Sequence, residues 1–122
     1  FMDKSKRGAT ESSASIINIS SMYAQVSPDP AIYGNSGFNN PPYYGAAKAG
    51  LLQLTRYLAC HYAKHGIRVN SISPGPFPPE SIKELQPDFY HNLCAKVPMN
   101  KIGSAHEIQG PVLFLASDAS SF

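Results

Sequence analysis

A long helical pattern sits between two short β-branched runs in this chain, with proline or glycine marking the boundaries. From Tyr44 to His65, Ala46, Ala47, Ala49, Leu51, Leu52, Leu54, Leu58 and Ala59 supply strong helix formers, and Leu51, Leu54 and Leu58 recur at helical spacing. Pro41 and Pro42 precede the pattern and Gly66 follows it, as start and stop signals do. Ile16-Ile17-Asn18-Ile19 before it and Ile67-Arg68-Val69-Asn70-Ser71-Ile72-Ser73 after it read as buried strands. Strand, helix, strand predicts a βαβ unit with parallel pairing and a right-handed crossover. Parallel strands are normally buried on both faces. Two of them do not make a stable sheet alone, so the pattern predicts a piece of a larger open α/β sheet.

The remaining segments are shorter and more broken. Residues 1–15 are polar and Ser-rich and read as a loose lead-in. Residues 22–43 carry Pro28, Pro30, Pro41 and Pro42 together with Gly34 and Gly37, which predicts a long loop without helix. A loop of that length inside a domain is usually functional. Residues 80–96 predict one or two short helices split by Pro87. Ser104-Ala105-His106-Glu107 is a capping box for a last helix, in which Pro111 should cause a kink or cost a hydrogen bond.

Composition excludes several classes of function. A net charge of +2 is too small for the electrostatic footprint of a nucleic-acid binder. No apolar run is long enough to span a membrane. The opening residues, Phe1 to Arg7, are polar and resemble no secretory leader. Cys60 and Cys94 are far apart and form no CxxC, so both are expected as free thiols in a reducing, cytoplasmic setting. His61 and His65 lie one turn apart, but without a third ligand no metal site is expected.

Three clusters could carry chemistry. Tyr44 and Lys48 lie at i and i+4 on the predicted helix and share a face. An ammonium beside a phenol favours the phenolate, and a phenol so tuned serves as a general acid or base at a carbonyl or alcohol. The YxxxK spacing alone is unspecific, and a packed Tyr beside a solvated Lys is the plainer explanation. Ser20 and Ser21 follow the first strand, at the carboxyl edge where open α/β sheets bind ligands. A hydroxyl there can donate to a developing oxyanion, although Ser after a strand is also ordinary turn chemistry. Pro74-Gly75 ends the second strand at the same edge. Agreement among the three raises each above its plainer explanation.

The order Ile17-Asn18-Ile19-Ser20-Ser21, Tyr44-Gly45-Ala46-Ala47-Lys48-Ala49-Gly50, Gly66 to Gly75, and Phe114-Leu115-Ala116-Ser117-Asp118 resembles the C-terminal half of the classical short-chain dehydrogenase/reductase family. The resemblance covers nearly the whole chain. It implies part of a Rossmann-like, doubly wound parallel sheet in three αβα layers, incomplete in this chain. It also implies NAD or NADP as cofactor and oxidoreduction between an alcohol and a carbonyl. Position by position, Tyr44 matches the family's catalytic acid/base. Lys48 matches the lysine that holds the nicotinamide ribose and lowers the tyrosine pKa, and Ser21 the serine that positions the substrate oxygen. Pro74 and Gly75 match the turn beside the nicotinamide, so Tyr44, Lys48, Pro74 and Gly75 form the expected cofactor contacts. A homodimer or homotetramer is the family's usual assembly.

The chain departs from the family pattern in several places. No glycine-rich phosphate loop and no upstream catalytic asparagine occur, and the final strand expected after Asp118 is missing. As given, the chain is therefore expected to bind dinucleotide weakly and to self-associate. Ser21 to Tyr44 is longer than the family's usual spacing, which marks 22–43 as an inserted substrate loop. Pro79 stands where many members have a threonine that contacts the carboxamide. Ser21, Tyr23, Asn40 and Tyr43 are the expected contacts for a small-molecule substrate, with a sugar or sugar acid suggested by the loop's aromatic rings and amides. The rival readings are an inactive, structural fragment and a dehydratase or epimerase of the extended branch. The Arg68-Val69-Asn70-Ser71-Ile72-Ser73-Pro74-Gly75 run argues against the latter.

Overall fold

A computed structural model describes residues 14–122, so most of the polar lead-in lies outside the described residues. Strand β1 (Ser15–Ile19) and strand β2 (Arg68–Ile72) pair in parallel, with Ile17 opposite Asn70. Helix α1 (Pro42–Tyr62) connects them, extended by a 3-10 turn at Ala63–His65 that ends on Gly66 in the left-handed region at φ 68°. The βαβ unit is thus present as the sequence predicts. It begins two residues earlier than Tyr44, because Pro42 occupies the first helical position, where its missing N–H costs nothing.

Side chains fasten the helix to the sheet. Asn18 Nδ2 donates to Thr55 Oγ1 at 2.9 Å, and that hydroxyl donates to the Leu51 carbonyl at 2.8 Å. Ser20 Oγ donates to the Lys48 carbonyl at 2.9 Å. Ser20 and Thr55 are both buried, so each bond is shielded from water. A Cβ on Gly45 would stand 3.0 Å from the Tyr23 carbonyl, and the glycine lets the first turns of α1 close on the chain leaving β1.

The predicted loop, 22–43, is not free of helix. Two 3-10 turns, Met22–Ala24 and Pro30–Tyr33, interrupt it. Each starts from a side-chain cap: Ser21 Oγ accepts from Tyr23 N, and Asp29 Oδ1 accepts from Ala31 N. Proline blocks a long helix but is well placed at the start of such a turn. Helices α2 (Ile82–Leu85) and α3 (Pro87–Ala95) follow, split at Pro87 as expected. Ile32 of the loop and Leu93 and Cys94 of α3 are buried, as is Val69 of β2. Three of these four buried apolar residues therefore lie in the loop and α3, outside the βαβ unit.

The last segment corrects one expectation. The capping box is present, with Ser104 N donating to Glu107 Oε2 at 2.8 Å, but it opens a 3-10 turn at Ala105–Ile108. Helix α4 (Gln109–Ala116) begins only afterwards. Pro111 falls in its first turn, where N–H groups have no intrahelical partner, so it breaks no hydrogen bond. Arg68 ties the end of α4 to β2 by donating to the carbonyls of Leu115 and Ser117. Ile16 and Ile19 of β1 remain exposed. The described residues thus leave apolar sheet surface uncovered, which fits part of a larger doubly wound sheet. Cys60 is exposed, Cys94 is buried, and both are unpaired. Among the described residues no helix is long and apolar enough to cross a membrane.

Candidate active site

The parallel ladder runs past the strand ends and builds the floor of the site. Ser20 N donates to the Ile72 carbonyl at 2.7 Å, and Met22 N to the Pro74 carbonyl at 2.9 Å. Ser21 is therefore held directly across from the Pro74-Gly75 turn, on the carboxyl edge of both strands. It is only 7% exposed. Its oxygen accepts the Tyr23 amide at 3.1 Å, and an accepting hydroxyl still has its proton to donate. Ser20, by contrast, spends its hydroxyl on the Lys48 carbonyl, so the two adjacent serines divide into an anchor and a candidate reactive group.

Tyr44 and Lys48 occupy the first two turns of α1 on one face. The Lys48 ammonium lies 5.7 Å from the centroid of the Tyr44 ring and donates to the Ile19 carbonyl at 2.8 Å. That bond pins a flexible side chain to the end of β1 and leaves two N–H donors for other partners. The tether was not legible from the YxxxK spacing, because its acceptor lies 29 residues away.

Ser21, Tyr23, Asn40, Tyr44 and Gly75 line one cleft of about 340 Å³. Three expected residues, Lys48, Tyr43 and Pro74, lie outside its lining. Tyr43 is 76% exposed on the first turn of α1. Pro74 contributes its carbonyl to the ladder, while Gly75 faces the cleft. The far wall joins Ile32, Tyr33 and Phe38 of the loop to Phe89 and Leu93 of α3, with Phe77 beside them; sequence reasoning anticipated tyrosines of the loop but not the α3 side. Their aromatic content was visible in the sequence, but nothing local joined residue 33 to residue 89. A larger hollow of about 470 Å³ on the Ala46 and Ala49 side of Tyr23 contains neither Ser21 nor Tyr44.

Burial lifts the Tyr23 phenol to about 12, and its hydrogen bond with Tyr33 pushes in the same direction. Tyr23 therefore stays protonated throughout the neutral range, as a donor and not a base.

A Ser, a Tyr and a Lys thus gather at the carboxyl edge of a parallel pair. The sequence profile of the family described as enoyl-(acyl carrier protein) reductase covers residues 1–122. The chain belongs to the classical short-chain dehydrogenase/reductase family. Among curated members it is 37% identical, over 90% of its length, to cis-4-hydroxycyclohexanecarboxylate dehydrogenase of Sinomonas cyclohexanicum. It is 33% identical, over its whole length, to the 3-oxoacyl-[acyl-carrier-protein] reductase FabG of Thermotoga maritima. It spans 40% and 43% of those two proteins. A crystal structure of a short-chain dehydrogenase from Leptospira borgpetersenii with bound NAD+ superposes with a TM-score of 0.78 at 35% identity. That match covers 88% of this chain and 39% of the crystallised one. The fold is accordingly a partial short-chain dehydrogenase/reductase Rossmann fold.

Proposed function

We propose that this chain carries the catalytic part of an NAD(P)-dependent oxidoreductase that interconverts an alcohol and a carbonyl. The observation that carries the reading is the meeting of Ser21 and Tyr44 in one cleft, with Lys48 tethered beside Tyr44. In this reading the Ser21 hydroxyl donates to the substrate oxygen and fixes its position. The Tyr44 hydroxyl gives that oxygen a proton in reduction and takes it back in oxidation. Lys48, held by the Ile19 carbonyl, turns its remaining N–H donors to the ribose hydroxyls and keeps positive charge beside the phenol.

The residues present fit the nicotinamide end of a dinucleotide. Two spare ammonium donors stand beside a cleft, and Gly75 lines that cleft with no side chain to obstruct a flat ring. When bound, the dinucleotide supplies or accepts the hydride. Among the described residues no GxGxxG loop is present to cradle the pyrophosphate.

The substrate is read as a small molecule, with the loop 22–43 as its outer wall and Asn39 and Asn40 offering amides to its oxygens. Exposed Leu54 and Tyr57 on α1 and Leu113 and Phe114 on α4 support assembly as a homodimer or homotetramer. Two unpaired thiols suit the cytoplasm.

The test is Tyr44→Phe and Lys48→Met in the full-length protein, with turnover and dinucleotide affinity measured separately. Tyr44→Phe should cut kcat by about 10²–10⁴ and leave the dinucleotide Kd nearly unchanged, because only the proton-transfer group is lost. Lys48→Met should weaken both. Equal and small effects of the two substitutions contradict these roles.

A further inference from the structure

We propose that the loop of residues 22–43 and helix α3 form an uncharged aromatic box beside Tyr44, which selects a neutral, ring-bearing carbonyl or alcohol and discriminates against a sugar acid. The proposal rests on the oxidoreductase reading and names the substrate class of that same site.

Phe89 is the hub of the box. Its ring stacks on Tyr33 at 5.6 Å between centroids and 11° between planes, and meets Phe38 edge-on at 5.4 Å and 85°. Both geometries are favoured ones for aromatic pairs, so the three rings hold one another in place. All three line the cleft with Ser21 and Tyr44, over buried Ile32 and Leu93.

The wall is fastened across the two segments. Lys96, just past α3, pairs with Asp29 of the loop at 2.7 Å, and Asn92 Nδ2 donates to the Ile32 carbonyl at 3.4 Å. No Asp, Glu, Lys, Arg or His lines the cleft among the described residues. Lys96 is paired with Asp29, and Lys48, tethered to the Ile19 carbonyl, does not line the cleft. The phenol of Tyr23 adds no charge near neutral pH. A carboxylate drawn into such a wall loses hydration without gaining a cation, which is unfavourable. An apolar ring exchanges water for aromatic surface, and the Asn39 and Asn40 amides still serve neutral oxygens. A volume of about 340 Å³ suits a single-ring compound.

The experiment uses the full-length protein with cofactor and a matched panel. Cyclohexanone and acetophenone are the neutral ketones, and 4-oxocyclohexanecarboxylate, 4-acetylbenzoate and 5-keto-D-gluconate carry a carboxylate. The neutral members should show kcat/KM at least about tenfold above their charged counterparts. Phe89→Ala should raise KM for the neutral ketones by about tenfold with little change in kcat, and Phe89→Leu by less. Circular dichroism and ligand-observed NMR accompany each variant, and Phe89→Leu keeps the test open should Phe89→Ala fail to fold. Equal or better turnover of the carboxylates overturns the box, as does an unchanged KM in folded Phe89→Leu and Phe89→Ala. Absence of neutral-ketone binding by NMR overturns it too. In each of these cases a Tyr44→Phe protein that loses turnover leaves the oxidoreductase reading standing. Turnover that survives Tyr44→Phe rejects that reading instead.

Discussion

Thr55 offers a quantitative test of how α1 is fixed to β1. Its hydroxyl accepts from Asn18 Nδ2 at 2.9 Å and donates to the Leu51 carbonyl at 2.8 Å, at a position 7% exposed. Thr55→Val keeps the shape and removes the acceptor, leaving the Asn18 amide without that partner in a part-buried place. An orphaned donor of this kind costs about 1–3 kcal/mol. Thr55→Ser keeps both bonds and loses one buried methyl, worth about 0.8 kcal/mol. Ranked by stability, the order should be wild type, then Ser, then Val. Adding Asn18→Leu to Thr55→Val removes both partners of the bond and should recover part of the Val loss, a coupling of about 0.5–3 kcal/mol. Urea unfolding followed by circular dichroism gives each value. A double variant whose loss equals the sum of the two single losses means that the Asn18–Thr55 bond does not join helix to strand. A Val variant as stable as the Ser variant leads to the same conclusion.

Two further outcomes follow from the packing and the charges. A Cβ on Gly103 would stand 2.3 Å from the Phe77 ring, so Gly103→Ala must move a residue that lines the cleft. Steady-state kinetics should show a changed KM with kcat nearly preserved, and a stability loss of about 1–3 kcal/mol; wild-type values for both mean that Phe77 has room to spare. The Lys96 ammonium bonded to Asp29, helped by the Ala31 amide, holds the Asp29 carboxyl below its ordinary value of 3.8. A depressed folded-state pKa stabilises the folded form above the unfolded value, and that contribution is lost as pH falls through the folded one. Limited proteolysis of residues 22–43 should therefore accelerate as pH drops below about 4, and Asp29→Asn should flatten the dependence. A profile identical in Asp29→Asn removes the ion pair from the account of the loop.

Local spacing was enough to read part of this protein from its sequence. The βαβ unit, its parallel sense, the break at Pro87 and the shared face of Tyr44 and Lys48 each depend on residues a few positions apart, where helix and strand periods act directly. The choice of Ser21 over Ser20 came from the family resemblance. The structure supplies its physical counterpart: Ser20 donates to a helix carbonyl, whereas Ser21 keeps its proton. Three things belong to the tertiary structure alone. Lys48 finds its acceptor on Ile19, Phe89 meets Tyr33 and Phe38 across 50 or more intervening residues, and Tyr43 stays outside the cleft although it adjoins Tyr44. Pro111 shows the same limit in reverse, because its effect depended on where α4 began, and that was set by the 3-10 turn before it. Hydrophobic period assigns a residue to a face, but which distant face it meets is decided only when the loop and α3 close on a common core of Ile32, Leu93 and Cys94.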